Sequence, residues 1–319
     1  MLHSDFPLTF IDLQYESFVR RSNCPVVLVG MMGTRLEIST AIFTDGIYVD
    51  KLVSQELYLD AWQSLAVLRL GRTFKAVSLA AAELRNYYDT FYDNPNPAPT
   101  RAHLFPDPLP IDEGTDIPRL TYMGKLSHLG ETIIILREKK RLELEEDPER
   151  PYALYRAKMI RDEPEGEVDV VVKFTAFYND RAHQILAENG LAPALHFFAP
   201  LVGGMNMVVM DYINSPPLFG GKERADYDAI YNDVEKAIKL LHREDLVFGD
   251  LRTENIIRKP NGGAMLIDFD WTGKHQDTKY PASWSVKKSA EGVGRRKLMD
   301  KQHDILMLEK LNTVFEEVQ

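Results

Sequence analysis

Cysteine is almost absent from these 319 residues: Cys24 is the one instance, which excludes an internal disulfide framework and any zinc site built on several cysteines. Long apolar runs are missing as well. No stretch of roughly 18 or more uncharged apolar residues occurs, so no membrane-spanning helix is expected and no membrane partner. Met1 to Asp5 lacks the basic-then-apolar order of a secretion signal, and the expectation is a cytoplasmic or nuclear protein. Positive charge is also short. A formal net charge of −10 argues against broad nucleic-acid binding, which needs a basic surface to displace phosphate counterions. What is present, a hydrophobic content of 45%, suffices for one large domain or two smaller ones with a real core.

One stretch departs from the acidic balance. Between Thr272 and Lys301 eight Lys or Arg stand against three Asp or Glu. That excess reads either as a solvated loop or as a docking surface for an acidic or phosphorylated partner.

Residues 1–93 are expected to form an α+β accessory region. From about Pro25 to Leu57 apolar stretches alternate with turn residues (Gly30, Gly33, Asp45-Gly46), the pattern of a small antiparallel sheet. Leu57 to about Tyr92 then carries apolar residues at spacings of three and four without an internal proline, which predicts a long helix. Residues 94–118 hold seven prolines and read as a linker or an extended surface strap.

From residue 119 the pattern changes to strands: Leu120 to Leu126, Thr132 to Leu136, Tyr152 to Ile160 and Val168 to Thr175. Asp162 to Glu167 supplies hairpin chemistry between the last two. The charge run from Arg137 to Arg150 reads as a solvated insertion. Asn179 to Asn189 predicts a short helix ended by Gly190, Met207 to Ile213 a buried strand, and Asp226 to His242 an amphipathic helix. Strands first and helices later imply segregated α+β lobes.

The chemistry-bearing segment is Phe248-Gly249-Asp250-Leu251-Arg252-Thr253-Glu254-Asn255, with Ile267-Asp268-Phe269-Asp270 beginning twelve positions beyond Asn255. Phosphoryl transfer needs a carboxylate at the acceptor hydroxyl and oxygen ligands that hold magnesium on the nucleotide phosphates. Asp250, Asn255 and Asp268 are of the right types. The four residues between Asp250 and Asn255 let one loop aim a carboxylate at the acceptor and an amide at the metal. Asp268 follows the apolar run Ala264 to Ile267, so a buried strand would deliver it rigidly.

These segments resemble protein kinases. Asp250 to Asn255 is similar to the catalytic loop H-R-D-L-x-x-x-N and Asp268-Phe269-Asp270 to the D-F-G motif. Phe248 and Gly249 depart from the loop pattern in the direction of the H-G-D loop of aminoglycoside and choline kinases, and Asp270 replaces the glycine. Val170-Val171-Val172-Lys173 resembles the strand whose lysine holds the α- and β-phosphates. Val208 to Ile213 resembles the hinge, with Met210 as gatekeeper and the backbone of Asp211 and Ile213 toward adenine. More broadly the chain resembles the kinase-like proteins of mushroom-forming fungi, through Ala41 to Asp45, Val171 to Phe174, Ala182-His183 to Pro193, Asp250 to Asn255, Asp268 to Trp271 and His303-Asp304.

The resemblance implies an α+β, bilobal protein-kinase-like domain over 119–319, preceded by the accessory region. Its small β-rich lobe would span about 119–210 and its mainly helical lobe about 211–319. It implies ATP and Mg2+ as cofactors, Asp250 as catalytic base, Arg252 near the transferred group and Lys173 on the phosphates. Asn255 and Asp268 would bind the metal. Asp304 either braces Phe248 and Gly249 or is a carboxylate favoured at a helix start.

The sequence lacks a G-x-G-x-x-G loop, for which the stretch between Gly124 and Gly130 is the stand-in, and lacks an A-P-E triplet. The lysine-pairing carboxylate is sought on the helix after Lys173, at Asp180 or Glu188. His183, His196 and His242 read as core or capping residues. Three functions stay open: a kinase for protein Ser/Thr, a small-molecule kinase of aminoglycoside/choline type, and a nucleotide-binding pseudokinase or scaffold.

Overall fold

The structure, a computed structural model, describes residues 21–43, 47–57, 64–93, 102–126, 132–133, 153–161, 166–219, 224–281 and 294–317. These fall into two compact units, the first ending at Asp107 and the second beginning at Pro108.

In the first unit β1 (Val26–Met32), β2 (Arg35–Phe43) and β3 (Ile47–Glu56) form an antiparallel sheet in that order, followed by α1 (Ser64–Asp93). Gly33 takes a φ of 61° in the tight β1–β2 turn, a conformation glycine adopts without steric cost. Tyr87 and Tyr88 tie α1 to the segment before β1: their hydroxyls meet Ser22 Oγ at 2.9 Å and the Pro25 carbonyl. The helix extends to the expected end but begins at Ser64, and residues 58–63 lie outside the described residues.

The second unit carries a six-stranded antiparallel sheet of order β5-β4-β6-β7-β9-β8. Its strands are β4 (Leu120–Leu126), β5 (Thr132–Ile133), β6 (Leu154–Ile160), β7 (Glu167–Thr175), β8 (Leu195–Pro200) and β9 (Asn206–Asp211). The period-2 pleat sends Val170, Val172 and Phe174 of β7 to a core shared with Ala157, Met207 and Val209. It turns Lys173 and Thr175 to the other face. The proline-rich stretch joins this sheet at its β8 end, where Val202 N donates to the Leu109 carbonyl at 2.8 Å and Ile111 N to that of Pro200 at 3.1 Å. Strand β8 was not expected from the sequence; Pro193 and Pro200 bracket it and mask its alternation.

Helix α2 (Asp180–Glu188) follows β7. Asn179 caps it by accepting the Ala182 N–H at 2.9 Å. At the other end Gly190 takes φ 65°, and Leu191 N reaches back to the Leu186 carbonyl at 2.8 Å. Helix α3 (Arg224–Arg243) buries Tyr227, Ile230, Val234, Ala237, Ile238 and Leu241, the three-and-four spacing read from the sequence. Each fully buried aliphatic side chain of this row contributes about 1.5–3 kcal/mol. Helix α4 (Lys301–Glu317) packs Met307, Leu308, Leu311 and Phe315 into the same core.

Short antiparallel ribbons lie beside the helices: β10 (Leu246–Val247) with β13 (Gly273–Lys274), and β11 (Ile256–Arg258) with β12 (Ala264–Leu266). Ile267 N donates to the Asn255 carbonyl at 3.0 Å, so the second ribbon joins the end of the Phe248–Asn255 loop to the start of the Asp268 segment. Among the described residues no helix is long and apolar enough to cross a membrane.

Candidate active site

The loop from Phe248 to Asn255 is held from below by one carboxylate. Asp304, fully buried in the first turn of α4, accepts from Phe248 N and His242 Nε2 on one oxygen, at 2.8 and 2.9 Å. Its other oxygen accepts from Gly249 N at 2.8 Å. Gly249 itself has φ 80°, and a Cβ there would stand 3.0 Å from Met299 Cε and 3.1 Å from the Trp271 carbonyl. Only glycine satisfies both the dihedral and the contact.

This loop presents Asp250 in a buried setting. Burial pushes its carboxyl up to about 6, opposed by Arg252 and by the Asn255 hydrogen bond, with Asp268 adding to the rise. Arg252 Nε lies 3.2 Å from Asp250 Oδ2, close enough to pair by charge but off the hydrogen-bond direction. Asn255 Nδ2 donates to both the Asp250 carbonyl (2.9 Å) and Asp250 Oδ2 (2.8 Å). With both donors spent on Asp250, the Asn255 Oδ1 remains as an acceptor.

Lys173 is brought to this loop's partner segment across 95 residues of sequence: its Nζ donates to Asp268 Oδ1 at 2.7 Å. It also donates to Asp270 Oδ1 at 2.6 Å, and Thr175 Oγ1 donates to Asp270 Oδ2 at 2.8 Å. Burial works to discharge Lys173, but the two carboxylates outweigh it and raise its pKa. Burial likewise opposes the ionised Asp268, yet Lys173 wins and holds that carboxyl below its ordinary value. Asp270, facing the Asp268 charge as well as burial, moves the other way. Asp268 carries φ 70°, a left-handed conformation that costs a non-glycine residue strain and is often found at functional sites.

One expectation is corrected. Asp180 does not pair with Lys173; it is exposed in the first turn of α2, and Glu188 is exposed and accepts from Gln184. The reason lies in how α2 is seated. Its cap residue Asn179 bonds the Phe269 carbonyl through its N–H (3.2 Å) and the Thr272 carbonyl through its amide (3.2 Å). That seating turns His183 inward. The His183 ring stacks on Phe269 with centroids 4.7 Å apart and planes 10° from parallel. Its Nε2 donates to the Pro193 carbonyl at 2.8 Å, so Nδ1 is the acceptor for the Tyr178 hydroxyl at 2.7 Å. Burial depresses this imidazole to about 4, and it stays neutral. Gly124 lies inside β4, within the strand expected from Leu120 to Leu126, beside an irregularity in its register with β6. Residues 127–131 of the expected lid, 134–152 with the charge run, and 162–165 of the hairpin lie outside the described residues.

At the hinge-like strand Met210 is buried at the end of β9. The Asp211 N–H is already given to the Ala194 carbonyl (3.0 Å), so of its backbone only the carbonyl is a candidate for adenine. The Asp211 side chain accepts from His196 Nε2 at 2.6 Å, while His196 Nδ1 accepts from Arg161 at 3.2 Å. Ile213 follows the strand, half-buried. Of the basic stretch, Lys274, Lys279, Arg295, Arg296 and Lys297 are exposed, and Lys301 pairs with Asp245 at 2.8 Å.

The donor set suits magnesium better than a metal held by protein alone. Among the described residues no cluster of three or more His, Cys, Asp or Glu is arranged around a cation. Magnesium is commonly bound by one or two carboxylates together with phosphate and water. Asp268 and the free Asn255 Oδ1 fit that pattern.

Sequence reasoning missed the contacts that tie Asp270 to Lys173 and Thr175. The available signal was the pleat, which places Thr175 on the face of Lys173.

No protein-family model matches the chain. Over 99 residues, 31% of the chain, it is 30% identical to the serine/threonine-protein kinase ppk6 of Schizosaccharomyces pombe, and the chain spans 11% of the length of that relative. Among solved structures it is similar to the Cydia pomonella granulovirus kinase PK-1, with TM-score 0.40 and 18% identity, over 52% of this chain and 63% of that one.

Proposed function

We propose that this chain is an ATP-dependent phosphotransferase of protein-kinase-like architecture. The sheet with Lys173 forms its small lobe, the α3–α4 core its large one, and the acceptor is a hydroxyl, protein Ser/Thr first. The observation that carries the reading is convergence: Lys173, 95 positions upstream in sequence, bonds Asp268, and Asp268 in turn acts electrostatically on Asp250, which Asn255 holds through its side chain. The 30% identity over 99 residues to a serine/threonine-protein kinase supports the same reading.

In this reading Asp250, ionised above pH about 6, accepts the proton of the acceptor hydroxyl as oxygen attacks the terminal phosphoryl group. Arg252, already beside Asp250, balances charge on the transferred group. Lys173 binds phosphate oxygens. Asn255 Oδ1 and Asp268 would hold magnesium, which when bound neutralises charge between the phosphates. The Asp211 carbonyl and Ile213 would meet adenine beneath Met210.

A second reading, a nucleotide-binding pseudokinase, is favoured by one feature: Lys173 already holds Oδ1 of Asp268, the carboxylate that a metal would need. Incubation with γ-labelled ATP and magnesium, with generic protein acceptors and with small hydroxylated compounds, separates the readings. Label on Ser or Thr supports the first proposal, and label on a small molecule redirects its acceptor. Nucleotide binding without transfer or hydrolysis establishes the second reading and refutes the first.

A further inference from the structure

Lys173 is buried, and among the described residues its two carboxylate partners come from one segment, Asp268 and Asp270. The two contacts differ in kind. Asp270 is gripped at both oxygens by neighbours on one face of β7: Lys173 Nζ at 2.6 Å on Oδ1 and Thr175 Oγ1 at 2.8 Å on Oδ2. Such a fork fixes a carboxylate in orientation as well as place. Asp268, by contrast, is the residue whose oxygen a metal on the nucleotide would require. When the charge of that carboxylate is given over to a cation, a lysine left in a buried position needs another counter-charge, because an unpaired buried ammonium is strongly disfavoured. Helix α2 offers none: Asp180 and Glu188 are exposed, and His183 occupies its inward face.

We propose that Asp270 is the positioning residue for Lys173, holding its ammonium toward the nucleotide phosphates while Asp268 is given over to the metal. The counter-charge thus comes from the metal-binding segment itself rather than from helix α2. This rests on the phosphotransferase reading above. Displacement of α2 then leaves the lysine paired, so the site is not gated by a helix carboxylate.

The test is a double-mutant cycle read by calorimetric titration with Mg-ATP and, separately, by melting temperature without nucleotide. Asp270→Asn keeps the shape and the Thr175 bond but removes the charge. It is expected to raise Kd by about tenfold or more in the wild-type background. In a Lys173→Met background it should add little, since Asp270 acts through the lysine. Thr175→Val, which leaves both charged groups, should shift Kd in the same direction by less, and add nothing to Asp270→Asn.

The proposal is overturned if Asp270→Asn binds Mg-ATP as wild type does, or if its full loss persists in Lys173→Met, which would make it a metal ligand. A loss in Asp180→Asn in place of Asp270→Asn overturns it too. Without nucleotide, non-additive melting shifts of Lys173→Met and Asp270→Asn support the pairing, and additive shifts refute it. Wild-type protein that fails to bind Mg-ATP defeats the phosphotransferase reading, and any coupling that survives is then structural and the positioning role is refuted.

Discussion

Replacing Asp250 by asparagine should raise stability while abolishing chemistry. An exposed aspartate titrates near 3.8, whereas burial pushes Asp250 up to about 6 even though Arg252 and the Asn255 bond favour its charge. A displacement of about two pH units corresponds to about 3 kcal/mol. For a carboxyl raised in the folded state, the penalty is complete above pH 6, where the group is ionised folded or unfolded. It shrinks as pH falls from 6 toward 3.8 and vanishes below that.

Asparagine keeps the shape and an oxygen for the Asn255 amide, and it carries no charge to bury. Near pH 7.5 the variant should therefore gain up to about 3 kcal/mol, roughly 6–12 °C in melting temperature for a domain of this size class. Near pH 4 the gain should be almost nil. Turnover should fall by about two or more orders of magnitude. Thermal melts by circular dichroism from about pH 4 to 8, with a phosphotransfer assay, read both effects. A variant that melts at or below wild type near pH 7.5 would refute the burial argument, and undiminished turnover would remove Asp250 from the chemistry.

Two further substitutions probe the supports of the loop. Gly249→Ala forces φ 80° on an L-residue and drives a methyl against Met299 and the Trp271 carbonyl; it should cost about 2–4 kcal/mol in urea denaturation, and a neutral effect would contradict the geometry. Asp304→Ala strands the N–H groups of Phe248 and Gly249 and removes the His242 contact; a loss of about 3–5 kcal/mol is expected, and one below about 1 kcal/mol would mean that the loop is held by other contacts.

The segments most legible in the sequence were those with a strong local period. Strand β4 matches its expected span from Leu120 to Leu126, β6 and β7 match within two residues, and α3 buries the face that its spacing of three and four marks. Strand β8 was hidden because bracketing prolines and a register shift at Leu195 obscure its alternation. Asp250, Asn255 and Asp268 could be singled out because their spacing lies within short segments. The partner of Lys173 could not be found that way. A lysine on a strand followed by a helix leads one to search the helix for a carboxylate, whereas the seating of Asn179 on Phe269 and Thr272 turns His183 inward instead. That choice is made by tertiary contacts between residues about 90 apart in sequence, which no local pattern encodes.

Thermal stabilisation by ATP, with and without magnesium, decides whether Lys173 and Asp268 form the proposed nucleotide site that works with a metal. A ligand at a hundredfold excess over its Kd stabilises the native state by about 2.7 kcal/mol, roughly 5–10 °C for a domain of this size class. Such a rise is expected for the wild type with ATP and magnesium, much less with ATP alone, and it should be lost in Asp268→Ala and Lys173→Ala. No rise at saturating Mg-ATP, or a rise indifferent to magnesium and to Asp268, would contradict it.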